Sequence, residues 1–165
     1  MELNKNLSIE ATLNPDFSQV ESDATKIDIN SPTAINYPER RPFFNRGVDA
    51  MDYQIDVFYS RSINNPSFAS KIINQGKNSR LYVLSAFDNE TPYLVPTKYE
   101  SFSGVGGESF SNVIRYQNFI NSKTQIGLLA SNRLYEGDAY GNLYGFDALV
   151  NFSDVWKFRF ELFFN

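Results

Sequence analysis

Along most of this chain apolar and polar residues alternate one for one, which is the period of a β-strand with two unlike faces. The clearest case is residues 155–164. Trp156, Phe158, Phe160, Leu162 and Phe164 fall on one side, and Lys157, Arg159 and Glu161 on the other. Residues 142–152 repeat the pattern, with Tyr144, Phe146, Ala148, Val150 and Phe152 opposite Leu143, Gly145, Asp147, Leu149 and Asn151. Upstream, 111–121 and 124–134 read as a hairpin about Asn121-Ser122-Lys123, and 67–75 and 80–88 as another about Gly76-Lys77-Asn78. Two further alternations precede these. Residues 53–60 set Ile55, Val57 and Tyr59 against Gln54, Asp56, Phe58 and Ser60, while 5–13 place Leu7, Ile9, Ala11 and Leu13 on one face. A short alternation at 25–30 predicts one more strand.

The connections sharpen this into an architecture. Short turns alternate with longer stretches at 89–110 and 136–141, and the strands run to about 9–11 residues, the length a tilted strand needs to cross a bilayer. Strands of soluble sandwiches are usually about 5–6 residues long. The expectation is an all-β fold: an antiparallel meandering β-barrel, partial, of about seven to eight strands, with an irregular N-terminal segment. Residues 1–52 are expected to hold an N-terminal strand and a plug-like or mouth-packing segment, and 53–165 the barrel strands.

Within 1–52, residues 12–21 and 37–44 cannot be continuous strand or helix. Pro15, Pro38 and Pro42 each remove a backbone donor and fix φ, and they push the residue before them towards extended geometry. Yet Phe17, Val20, Tyr37, Phe43 and Phe44 supply more apolar surface than a linker carries. The segment therefore reads as an extended strap packing its aromatics on something larger. Glu39, Arg40 and Arg41 then form a charged cluster in the mouth or lumen of the barrel, or else a solvated loop pinned by two phenylalanines.

Composition narrows the chemistry. The net charge of −4 and a pI near 4.8 argue against nucleic acid as a partner. With neither histidine nor cysteine, the Ser-His-Asp, Cys-His and His- or Cys-ligated zinc sites are excluded. The fifteen Phe, ten Tyr and one Trp suit strands and the aromatic girdles of a membrane barrel. No apolar run approaches the roughly 20 residues of a membrane helix. The opening MELNKNLSIE lacks a signal-peptide pattern, as expected of a processed chain or a piece of a longer one, or of a protein that is not secreted.

Candidate sites are few. Asp88 with Glu90, and Glu136 with Asp138, could form the carboxylate pairs of a glycosidase, but each pair sits among turn residues and reads as solvated. Ser103-Gly104-Val105-Gly106-Gly107 lacks the Gly-Lys-Ser/Thr ending of a phosphate loop. No cofactor or metal site is expected. Arg115 and Arg133 fall in adjacent predicted strands, with Asp147 in the next. On a shared inner face they would join Glu39, Arg40 and Arg41 in a lumenal ion-pair ladder, serving ligand binding or simple neutralisation.

Two segments also carry a family resemblance. TLNPDFSQVESD at 12–23 and YPERRPFFNRG at 37–47 resemble the start of an outer-membrane β-barrel domain of unknown function from Bacteroidota and related Gram-negative bacteria. VFYSRSI (57–63), KIINQGKNSRLYVLSAFDN (71–89), VIRYQNFINSKTQIGLLASNR (113–133) and LYGFDALVNFSDVWKFRFELF (143–163) are similar to that family's early barrel strands. In this family the barrel usually follows a family 9-like carbohydrate-binding module and is longer than this chain. The resemblance implies the N-terminal part of a barrel in the cell outer membrane, with membrane lipid as partner. It implies a role in binding, uptake or surface display, with carbohydrate as a candidate ligand, and supplies no catalytic residues. The alternatives are a soluble β-sandwich-like module binding glycan or protein and, more weakly, a glycoside-hydrolase-associated domain. An enzyme is the less favoured class.

Overall fold

The computed structural model describes residues 2–4, 6–17, 39–54, 57–96 and 101–165. The fold is all-β and antiparallel. Eight strands form one sheet: β1 (Glu2–Asn4), β2 (Leu7–Leu13), β3 (Pro66–Gln75), β4 (Ser79–Asp88), β7 (Ser109–Asn121), β8 (Thr124–Tyr135), β9 (Tyr140–Asn151) and β10 (Lys157–Phe164). Each lies beside its predecessor in that order. Between β4 and β7 the chain makes a separate two-stranded sheet from β5 (Pro92–Pro96) and β6 (Ser101–Val105). The large sheet is open, and among the described residues β1 and β10 are its two edges.

Period-two reading located the wall strands well. The hairpins at 66–88 and 109–135 and the final pair at 140–164 stand where the alternation predicts. Three expectations fare differently. The span 89–110 is no plain loop, because β5 and β6 pair from Pro92↔Val105 to Pro96↔Ser101, with a proline at each end of β5 where a missing donor does least harm. Residues 53–60 do not continue the sheet. Their described part is irregular, leading into a 3-10 turn at Ser60–Ser62. The strand expected at 25–30, and the anchors Val20 and Tyr37, lie outside the described residues.

Register gives the sheet two unlike faces. On one face, Ile9, Ile72, Val83, Ile114, Ala130, Tyr144 and Phe164 are successive neighbours across seven strands. The next row runs Leu81, Tyr116, Leu128, Phe146 and Leu162. These side chains face outward. Leu128 is 54% exposed, Phe158 55% and Leu162 50%, and Tyr144 stacks on Phe164 at 5.7 Å.

The opposite face mixes small apolar residues with charge. Its rows include Glu10, Lys71, Leu84, Val113 and Ser131, then Ser8, Ile73, Tyr82, Arg115 and Leu129. A strap, described over residues 39–54 and 57–65, covers it. The strap carries α1 (Pro42–Asn45), with proline at the helix start where its missing N–H costs nothing, and a 3-10 turn at Val48–Met51. Phe44, Ala50 and Ile63 from the strap join Ala69, Ile73, Tyr82, Leu84, Ala86, Val113 and Leu129 from the wall in the apolar core. Approach is closest at Gly47, whose φ of +84° suits glycine and where a Cβ would stand 2.7 Å from Ile73 Cδ1.

Candidate functional site

Several charged residues of the covered face hold the strap by its backbone. Lys71 of β3 is 1% exposed and donates to the carbonyls of Phe43 and of Arg46, the latter at 2.9 Å, while its charge meets Glu10 at 3.3 Å. Arg115 of β7, equally buried, donates from Nε to the Ala50 carbonyl at 3.0 Å. Arg133 of β8 donates to the Ser62 carbonyl at 2.8 Å. Asp88 of β4 accepts from the backbone N–H groups of Asn64 and Asn65 at 2.8 and 2.7 Å. On β10, Glu161 accepts from the Gln54 N–H at 3.1 Å, and Arg159 meets Asp52 at 3.4 Å.

An irregular segment has no ladder partner for its own peptide groups, and an unpaired peptide group in a buried place is costly. The wall's side chains make up that deficit.

The pair Arg115–Asp147 is the most enclosed. The guanidinium reaches diagonally across β8 and binds both carboxylate oxygens, at 2.5 and 3.1 Å. It passes over Gly127, the residue directly opposite Asp147 in β8, where any Cβ would collide with both side chains. Tyr53 lies under the same guanidinium, 4.6 Å from ring centre to Cζ, and packs edge-on against Phe163 at 5.3 Å. Burial pushes the Tyr53 hydroxyl well above the usual tyrosine range, with the Arg115 charge opposing that shift. Asp147 and Glu161 are direct neighbours of like charge, and each is compensated by its own arginine, Arg159 standing 3.8 Å from Glu161.

A second cluster joins the two ends of the strap to each other and to Phe17. Arg41, 1% exposed, is clasped by the Glu39 carboxylate at 2.8 and 2.9 Å and donates to the carbonyls of Ser60 and Ile63 at 3.0 and 2.6 Å. Its guanidinium stacks over Phe44 at 4.2 Å and Phe17 at 5.1 Å. The Ser60 hydroxyl donates to Glu39 at 2.6 Å. Burial works against ionisation of Glu39, but the hydrogen bonds from Arg41 and Ser60 and the arginine charge outweigh it, so its carboxyl stays below the ordinary 4.5.

A lowered carboxylate pKa stabilises the fold above its unfolded value, and that contribution disappears as pH falls through the folded value. Substituting Glu39→Gln should therefore lower the thermal midpoint by a constant amount at near-neutral pH. The gap to the parent chain should close as pH drops below about 4.5. Thermal unfolding over a pH series checks this.

The six candidate residues thus fall into separate groups. Glu39 pairs with Arg41, and Arg115 with Asp147, while Arg133 meets Asp88 at 3.4 Å. Arg40 is exposed beside its buried neighbour. Asp88, which the sequence placed among solvated turn acids, is fully buried because it ends β4 directly under the returning strap. Lys71 and Glu10 were also missed. A cation on the inward register of an otherwise apolar strand was the available signal. Between strap residues 57–63 and strands β7 and β8 lies a cavity of about 140 Å3, lined in part by Tyr59, Ser62, Ser111, Ser131 and Arg133. Among the described residues no group of three acidic side chains is placed to hold a metal ion.

Residues 2–87, just over half of the chain, match the family described as Domain of unknown function (DUF5916). The chain belongs to the DUF5916 family. The matched span covers β1, β2, β3, the described strap with Lys71 beneath it, and all of β4 but Asp88. No curated protein and no solved structure matches the chain. In this DUF5916 chain the clustered charges hold a segment in place.

Proposed function

We propose that this chain is part of the wall of an outer-membrane β-barrel, with the strap folded against the lumenal face. One observation carries the proposal: the polarity of the sheet is inverted. The face open to the surroundings carries mainly Leu, Ile, Val, Phe and Tyr across seven strands, while arginine, lysine and aspartate are buried on the other. One uncharged polar row, Ser70, Ser85, Asn112, Asn132 and Asn142, crosses the open face, with Ser85 hydrogen-bonded to Asn112 and Asn132 to Asn142. Water would select the reverse arrangement. A bilayer selects this one, because lipid-facing positions must be apolar and charges belong to a lumen where they are paired or wet.

Strand length and edge residues support the same reading. β7, β8 and β9 have 13, 12 and 12 residues, enough to span the hydrocarbon at a tilt. Exposed Tyr135 and Tyr140 mark one end of the sheet and Phe152 and Trp156 the other, the positions of two interfacial girdles. No helix among the described residues is long and apolar enough to cross a membrane, which leaves crossing by strands open.

The role that follows is passage, binding or display at the cell surface, through a lumen narrowed by the strap. A carbohydrate link rests on the family resemblance alone. The soluble sandwich alternative lacks a second large sheet to cover the aromatic face. Among the described residues the only other sheet is the two-stranded β5–β6. Extraction of expressing cells tests the proposal: the chain should stay with the membrane pellet in salt and alkaline washes and be released by detergent. A monomer recovered in buffer without detergent would overturn it.

A further inference from the structure

The two ends of the sheet are unlike. At one end the strands are joined by the short links 76–78, 122–123 and 152–156. At the other lie the end of β2 and the start of β3, which the strap joins, the β5–β6 pair between β4 and β7, and the turn 136–139. Register confirms that the members of each set share an end. Arg80 pairs with Gln75, and the neighbouring Ser79 with Asn118, beside the short links. At the far end, Pro66, Asp88, Ser109 and Tyr135 are successive neighbours.

Barrels of the outer membrane keep short turns on the periplasmic side and longer loops outside. We infer that the end bearing the strap and the β5–β6 hairpin faces the cell exterior, and that the strap is an external loop folded down into the lumen. This rests on the barrel reading above.

The path of the strap agrees with entry from that end. The connection leaves β2 after Leu13 and rejoins the wall at Pro66, both at the long-loop end. The strap passes Ile73 and Tyr82 at Gly47, reaches Arg115 at Ala50 and Phe163 at Tyr53, then climbs to Arg133 at Ser62 and Asp88 at Asn64. It is thus tied at mid-wall and again at the rim. A solute arriving from outside meets the hairpin first and then the strap. The surface that selects a ligand is accordingly built at the end bearing the described strap, 39–54 and 57–65, while the short-turn end contributes little beyond closure of the hairpins.

The chain contains no cysteine, which makes the orientation directly measurable. Ala139→Cys places one thiol in the turn 136–139, and Lys123→Cys places one in the opposite turn, both at exposed positions. Each full-length variant is treated in intact cells with a maleimide on a poly(ethylene glycol) chain too large to cross the outer membrane, and again after lysis. The expected result is labelling of Ala139→Cys before lysis and of Lys123→Cys only after it. Labelling of Lys123→Cys in intact cells, or of Ala139→Cys only after lysis, overturns the orientation while leaving the barrel intact, provided both variants sediment with membranes. Recovery of both variants in the soluble fraction overturns the barrel reading itself, and the orientation with it.

Discussion

Replacing Leu128 with arginine should destabilise the lipid-embedded chain by about 2–4 kcal/mol, the cost of a cation at the mid-depth of a barrel's lipid face. Leu128 sits near the centre of β8, between Tyr116 and Phe146, and is 54% exposed. In a water-soluble sheet the same exposed position would tolerate arginine within about 0.5 kcal/mol, as surface substitutions generally do. The two environments therefore give answers several-fold apart for one substitution. Urea titration of the chain refolded in lipid vesicles, compared with the Leu128→Arg variant, reads the difference. Phe160→Lys, on the same face, should behave alike, with a smaller loss because β10 is an edge of the described sheet.

The second large effect belongs to Arg115 and Asp147. Substituting Asp147→Ala leaves a buried guanidinium without its counter-charge, and the expected cost is about 3–5 kcal/mol. Replacing both, as Arg115→Met with Asp147→Ala, should be less damaging than Asp147→Ala alone, because no charge is stranded. What remains lost in the double variant is the hydrogen bond to the Ala50 carbonyl, and with it the mid-wall tie on the strap. Limited proteolysis separates these consequences. The double variant should keep its wall strands protected while cleavage within 48–54 accelerates. Equal costs in the single and double variants, or a cost for Asp147→Ala below about 1 kcal/mol, would mean the pair is solvated and does not anchor the strap.

These expectations depend on parts of the molecule that were unequally legible. The wall could be read from period two alone, since Phe158, Phe160 and Leu162 against Arg159 and Glu161 fix which residues share a face. That pattern does not say which face is covered, and the placement of the strap answers it. The strap itself misleads near 57–60, because its alternation in sequence is not kept in its packing: the consecutive Val57 and Phe58 both pack on the core, while Tyr59 is exposed. The sequence grouped Arg40 and Arg41 in one charged cluster and did not separate the exposed residue from the buried one. The partners of Arg41, the carbonyls of Ser60 and Ile63, were not legible either, since no residue type marks a carbonyl acceptor. Asp88 was hidden by its neighbours Asn89 and Glu90, which signal a turn, while its burial is decided by a segment that returns over it from Asn64.

Arg115 with Asp147 is the part of the expected ion-pair ladder that strand order anticipated. The distance between them is bridged because β8 offers Gly127 at the crossing point, a spacing rule visible only with the register in hand. The other anchors extend the same principle: cations and an aspartate on inward positions, each aimed at a peptide group of the strap.

Refolding distinguishes a sheet whose aromatic face meets lipid from one whose aromatic face meets water. The purified, denaturant-unfolded chain is diluted into buffer, and in parallel into phospholipid vesicles of bilayer thickness matched to the wall strands. Far-ultraviolet circular dichroism and protection from added protease are then recorded in both. A lipid-facing sheet gives a β-sheet spectrum and a protected core with vesicles, and aggregation or an unfolded spectrum without them. A monodisperse, protease-resistant β-protein in buffer alone would contradict the membrane-wall reading.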